Sequence, residues 1–298
     1  MAAFIDAHHH FWDVERNHYP WLAEADHDRG WGDWSALRNN YLPEHLLADA
    51  AGLQLLKSVH VQANWNPADP LGETRWLHEV AADPASRGFP HAVVAFADLS
   101  ASDAAATLDA HQRYPLVRGI RQVLNRHTDP KLNRAPKDFL SDPTWRKNLG
   151  LLASRGLSFD AQIYQHQAPA LAELARTYPD LRIVMDHAMM PAERDPLSLE
   201  GWRRGVTLLS RAPNVAMKLS GFGMVDLDWT PESIRPFALH CIESFGPERC
   251  MFGSNFPVDR LMSSYLRLWE SYEDIASSFT PVERDAMFRR TAECFYRL

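Results

Sequence analysis

Three histidines stand in succession in "FIDAHHHFWD", residues 4–13, directly after the first apolar residues of a 298-residue chain. A purification tag sits in a polar terminus, whereas these are flanked by Phe4, Ile5, Ala7, Phe11 and Trp12, so the stretch reads as a strand. Alternation along a strand groups Asp6, His8 and His10 on one face, with Ile5, Ala7, His9 and Phe11 on the other. Two imidazoles two residues apart are spaced by about 7 Å, close enough to reach one substrate oxygen or one divalent ion. His187, in "VMDHAMMP", is the candidate third member, and three histidines plus a water can fill a zinc shell. By the same alternation Asp186 would face away, unless a bulge reverses it.

Seven further segments share the strand signature: "LKSVHVQA", "HAVVAFADL", "VRGIRQV", "LSFDAQI", "RIVMDHA", "VAMKLSG" and "CMFGSNF". Between them lie stretches of helical period, among them "ETRWLHEVAAD", "APALAELARTYPD" and "SIRPFALHCIESFG". Eight strands alternating with helices predict an α/β fold, a (β/α)8 TIM barrel in a single domain, with a doubly wound open sheet as the alternative. Strand parity then turns His60 and Gln62, Asp160 and Gln162, and Lys218 and Ser220 to the same inner side as His8 and His10. Val59, Val61, Phe159, Ala161, Met217 and Leu219 are expected on the helix side. His187 and Asn255 fall near the C-terminal ends of the sixth and eighth strands. So many inward polar groups need partners or a wet cavity, and the convergence of several strands points to a site. Residues 11–45 form a long loop over the active-site face with Trp12, Trp21, Trp31 and Trp34. Tryptophans there either pack the loop or stack on a ligand, for which Trp34 is the candidate.

The formal net charge of -7 leaves no basic excess to neutralise phosphates, so a nucleic-acid partner is not expected. Cys241, Cys250 and Cys294 lack metal-type spacing, and no apolar run is of membrane-spanning length. A cytoplasmic protein with no membrane partner, acting on a small molecule, is the expectation. The sequence leaves its oligomeric state open.

The segments "IDAHHHFWDVERNHYPWL", "VQANW", "ETRWL", "VRGIRQ", "VMDH", "KLSG", "MFGSNFPVD" and "TAECFYRL" resemble the amidohydrolase superfamily, in the branch of sugar lactonases and pyrone dicarboxylate lactonases. The resemblance runs from residue 5 to the end. It implies a distorted (β/α)8 barrel and hydrolysis of lactones, esters or amides at the C-terminal ends of the strands. His8, His10 and His187 match the superfamily's histidines, while Asn255 stands where aspartate is usual. An amide neither ligates a metal nor moves a water proton well. With no bridging lysine or glutamate on the fourth strand, a binuclear centre is not expected. A site needing no cofactor is the reading preferred, with a single zinc or other divalent ion on His8, His10 and His187 as the alternative.

Lactone hydrolysis needs carbonyl polarisation, water delivery and protonation of the leaving oxygen. His8, His10, His187 and Asn255 are the catalytic candidates, and Lys218 could bind the developing oxyanion. Arg121 offers a planar fork for a sugar-acid carboxylate, or forms an ordinary ion pair. Gln62, Gln122 and Gln162 could bond sugar hydroxyls or each other. The base is open: Asp259 at the rim, unless paired with Arg260, or His187 if it titrates near neutrality. Attack by a substrate hydroxyl would instead make the protein a lactone isomerase. A lyase or decarboxylase using Lys218 and a non-catalytic sugar binder are the remaining alternatives.

Overall fold

The computed structural model describes residues 2–23 and 30–298. Eight strands, β1 (Phe4–His9), β2 (Leu55–Val61), β3 (Ala92–Ala95), β4 (Val117–Val123), β5 (Ser158–Gln162), β6 (Ile183–Met185), β7 (Val215–Leu219) and β8 (Cys250–Phe252), pair in sequence order and all in parallel. The first and last strands meet through hydrogen bonds from the segment after β8: Asn255 N to His8 O at 2.7 Å, and His10 N to Phe256 O at 2.7 Å. The result is a nearly closed (β/α)8 barrel, as the strand–helix alternation predicts. No helix among the described residues is long and apolar enough to cross a membrane.

The predicted helical stretches fold as Gly72–Ala82, Ala168–Thr177 and Pro231–Phe245. Their apolar stripes cover one side of the sheet, where Phe159, Met217, Leu219 and Phe252 join the main core. Inside the barrel a second, smaller cluster gathers Ile5, Ala7, Val59, Val61, Val94, Val184, Ala216 and Met251 from six strands, closed at one end by Tyr296. Above this apolar plug the inward polar side chains gather toward the C-terminal mouth.

Two strands depart from simple alternation. In β1 the pairing with β2 is irregular between Asp6 and His9. Asp6 consequently turns outward to accept from Tyr265 Oη at 3.0 Å and Ser254 Oγ at 2.6 Å, while Ala7 and His8 both turn inward. In β2 the expected parity is reversed. Val59 and Val61 face the interior cluster, and His60 faces the helices, within 3.2 Å of Glu73 and accepting from Phe11 N at 2.9 Å. Apolar contacts with Ile5, Ala7 and Val94 decide this choice, because His60 finds partners on the outer side.

Candidate active site

At the C-terminal mouth, His10, Arg121, Gln162, His187 and Asn255 line a cavity of about 260 Å3. Each comes from a different strand or the segment that follows it: β1, β4, β5, β6 and β8. Trp12, Trp21 and Trp31 of the long loop supply an aromatic wall. Residues 24–29 of that loop lie outside the described residues.

The chain after β6 is unusual in backbone conformation. His187, Ala188, Met189 and Met190 all have positive φ, between 42° and 58°, a region that L-residues avoid. Asp186 faces inward with Val184 by simple alternation along β6, so the expectation that it faces away is corrected, and the left-handed backbone swings the next residue, His187, to the same side. Trp202 Nε1 secures this turn by donating to Ala188 O at 2.8 Å. Strain held by surrounding packing is characteristic of functional turns. His187 Nδ1 lies 3.0 Å from Ser220 Oγ, which leaves Nε2 for the cavity.

Beneath the cavity is a fully buried polar layer. Lys218 Nζ donates to Asp160 Oδ2 at 2.6 Å and lies 3.3 Å from Asp186 Oδ1 and 3.4 Å from His8 Nδ1. Tyr296 Oη also donates to Asp160, at 2.7 Å. Asp186 Oδ1 is 3.3 Å from His8 Nδ1, and Arg121 Nη1 is 3.8 Å from Asp186 Oδ2. Burial raises the Asp160 carboxyl to about 6 against the pull of Lys218. Burial first, then neighbouring cations including Arg121, holds His8, His10 and His187 well below the usual imidazole range. These rings are therefore neutral bases or ligands at pH 7.

The cavity gathers His10, His187, Asn255, Arg121 and Gln162, but several other candidates lie elsewhere. His8 and Lys218 sit in the layer below, with no exposed surface. The Gln62 side chain folds onto its own loop, accepting from Asn64 N at 2.6 Å, and only its backbone carbonyl reaches Arg121. Gln122 points to the helix side, accepting from Trp145 Nε1 at 2.7 Å and Leu99 N at 3.1 Å. Its position follows from β4 alternation, since Arg121 takes the inner face. Trp34 stacks on Trp21 at 6.2 Å and stands one layer behind the cavity wall. Sequence reasoning also misjudged Asp259. It is 1% exposed, not at the rim, and accepts from Asn255 Nδ2 at 2.9 Å, while Arg260 turns to Asp49 at 3.6 Å. Its four-residue spacing from Asn255, one turn of the chain, was the available signal.

The metal-ligating grouping differs from the three-histidine expectation. His8, Asp186 and His187 bring one donor atom each within 4.8 Å of one another. His8 Nε2 and both Asp186 oxygens are buried without hydrogen bonds. Two imidazoles, a carboxylate and a water suit a mononuclear zinc, so the donor set fits such an ion. His10 stands outside this grouping: its Nδ1 donates to Val61 O at 2.6 Å and its Nε2 faces the Asn255 side chain at 3.3 Å.

Residues 5–298 match the family model for amidohydrolase. The chain is 43% identical to y4mH, an uncharacterized protein of Sinorhizobium fredii, with 99% of each chain covered. It is 31% identical to L-fucono-1,5-lactonase of Burkholderia ambifaria, over 100% of this chain and 97% of that protein. Among solved structures, an amidohydrolase from Burkholderia multivorans with bound HEPES aligns at 28% identity and a TM-score of 0.83, covering both chains completely. A second form of that protein, with bound zinc, aligns at 29% identity and 0.82, again over both chains. The chain belongs to the amidohydrolase superfamily, in its lactonase branch.

Proposed function

We propose that this enzyme hydrolyses the lactone ring of a sugar acid in the cavity at the barrel mouth. The observation that carries the reading is the convergence of His10, Arg121, Gln162, His187 and Asn255 from five strands on one cavity of monosaccharide size, about 260 Å3. The names of the curated relatives agree with it.

Arg121 is the electrophile. Its guanidinium is fixed by Gln162 Oε1, 3.3 Å from Nη1, and by Gln62 O, so it is already oriented toward the carbonyl oxygen that gains charge. Fixed cationic donors of this kind are commonly the largest contribution to acyl transfer. His187 is the base. Its imidazole is neutral because burial and the nearby His8 and Arg121 disfavour the cation, and with Nδ1 turned to Ser220, Nε2 takes the proton of an attacking water. The imidazolium so formed returns that proton to the ring oxygen as the C–O bond breaks. Asp186 below is the counter-charge for the imidazolium that forms on His187, while Lys218 is held by Asp160. A divalent ion held by His8, Asp186 and His187 would occupy the Nε2 lone pair and would itself supply the activation of water, so it is an alternative to the imidazole base and not an addition to it. The Burkholderia multivorans relative has been solved with bound zinc, which supports the capacity of this fold to take such an ion.

Aldonic and aldaric lactones screened by NMR in H218O, with chelated and zinc-supplemented enzyme, test the reading. Ring opening with one 18O in the carboxylate is expected. Ring migration without label would instead make the protein an isomerase.

A further inference from the structure

We propose that Asp259 is a positioning residue of this site: through Asn255 it decides whether His10 and the cavity meet an amide N–H or an amide carbonyl. The proposal rests on the lactonase reading of the cavity for its catalytic consequence, but its structural basis is independent of substrate.

The argument is one of donors and acceptors. Val61 O can only accept, so the 2.6 Å contact with His10 Nδ1 places a proton on that nitrogen. The other nitrogen, Nε2, faces the Asn255 side chain at 3.3 Å, and the far end of the same amide faces Asp259 at 2.9 Å. An amide has one donating and one accepting end, and only the surrounding network assigns them. If both Asp259 oxygens accept, the amino group turns to Asp259 and the carbonyl to His10. If Asp259 carries a proton, it donates to the carbonyl and the amino group turns to His10, the one arrangement that satisfies a singly protonated ring. Asp259 thus sets from behind what the cavity wall presents.

Its surroundings favour the protonated form. The carboxyl is buried, and Oδ2 has no hydrogen-bond partner. Burial raises it to about 7, against the Asn255 amide and the Gly223 backbone, which lower it. The other polar group facing it is the Tyr272 hydroxyl from the helix Tyr265–Ile275, which donates to Gly253 O at 3.1 Å. Among the described residues no cation pairs with Asp259, Arg260 being turned to Asp49. Near neutral pH the amide therefore stands at its switching point. The Asn255 backbone is held at both ends, N–H donating to His8 O at 2.7 Å and C=O accepting from Asp259 N at 3.2 Å, so side-chain rotation is the remaining freedom.

The test uses the full chain. With selective 15N-asparagine labelling, the Asn255 side-chain amide is assigned by its loss in Asn255→Ser and followed from pH 5 to 9. One inflection near neutrality is expected in the wild type, and none in Asp259→Asn, whose own amide donates permanently. In steady-state assays on the lactone found by the NMR screen, Asp259→Leu should lower kcat about 10–100-fold, as loss of a supporting hydrogen bond does, with KM held within about threefold. Asp259→Asn should recover most of that loss and abolish the pH dependence near 7. An Asn255 amide that titrates alike in wild type and Asp259→Asn, or wild-type kcat in Asp259→Leu, overturns the proposal. Should no lactone be turned over, the amide titration still decides it.

Discussion

Gly221 and His187 are in direct apposition: a methyl carbon on the glycine would lie 2.4 Å from the imidazole Nδ1. The glycine has φ +65°, so an L-side chain there is strained as well as obstructed. Together these fix the glycine of "KLSG" as the floor on which His187, the proposed base, rests. Gly221→Ala is expected to push the ring off Ser220 and lower kcat about 100-fold, the usual consequence of a displacement near 1 Å. Steady-state kinetics beside far-UV circular dichroism check it: an unfolded variant, or one with unaltered kcat, counts against this role.

The buried Lys218–Asp160 pair makes a stability prediction. Removing one member of a desolvated pair leaves the other uncompensated, a loss of about 3–5 kcal/mol. Lys218→Met should therefore lower unfolding free energy in urea by that order, with Asp160 answering by taking a proton. Lys218→Met combined with Asp160→Asn should recover part of it, because the stranded charge is gone. Equal stability of the single and double variants would show that the pair carries no such coupling.

The barrel and its mouth are legible because strands announce themselves by β-branched runs, and parity puts Asp160, Gln162 and Lys218 on the side the structure gives them. Parity failed where irregular backbone intervenes. The irregular pairing in β1 sends Asp6 outward and His8 inward, and the left-handed turn at His187–Met190 brings His187 to the same side as Asp186, which shares the inner face of β6 with Val184. Neither leaves a mark in composition or period. In β2 the valines took the inside because His60 had Glu73 to meet, a tertiary contact between strand and helix that a single strand cannot disclose. Asp259 was misread for a related reason: a carboxylate beside an arginine suggests a surface pair, and only the chain path shows it turned to Asn255.

That path predicts an unexpected result at Asn255, where the superfamily resemblance leads one to expect aspartate. Asn255→Asp would set a second carboxyl against Asp259, and two carboxylates in one buried site cannot both ionise. The variant is therefore expected to lose activity, about tenfold or more above pH 7, and not to gain a hydrolytic base. Adding Asp259→Asn supplies the missing donor, and the double variant should recover with a coupling of about 1–3 kcal/mol. A double-mutant cycle on kcat measures it; additive losses would separate the two residues.

Asp6 gives a pH-dependent test of the fold. Its carboxylate accepts from Ser254 N, Ser254 Oγ, Tyr265 Oη and His8 N, and so ties β1 to the segment after β8. Burial nevertheless outweighs these four donors and raises its pKa from 3.8 to about 6. Between those values the folded protein holds a proton that the unfolded chain has released. Stability from this group is therefore complete below 3.8 and is lost as pH rises to about 6, a fall of about 3 kcal/mol. Asp6→Asn cannot titrate and should lack that slope, although its amino group opposes four donors and leaves it about 1–3 kcal/mol below the wild type at pH 4. Urea unfolding of both proteins at pH 4, 5 and 7 gives the difference directly. The gap between them should narrow as pH rises, and a gap that widens would mean that the ionised form of Asp6 is the one the barrel closure prefers.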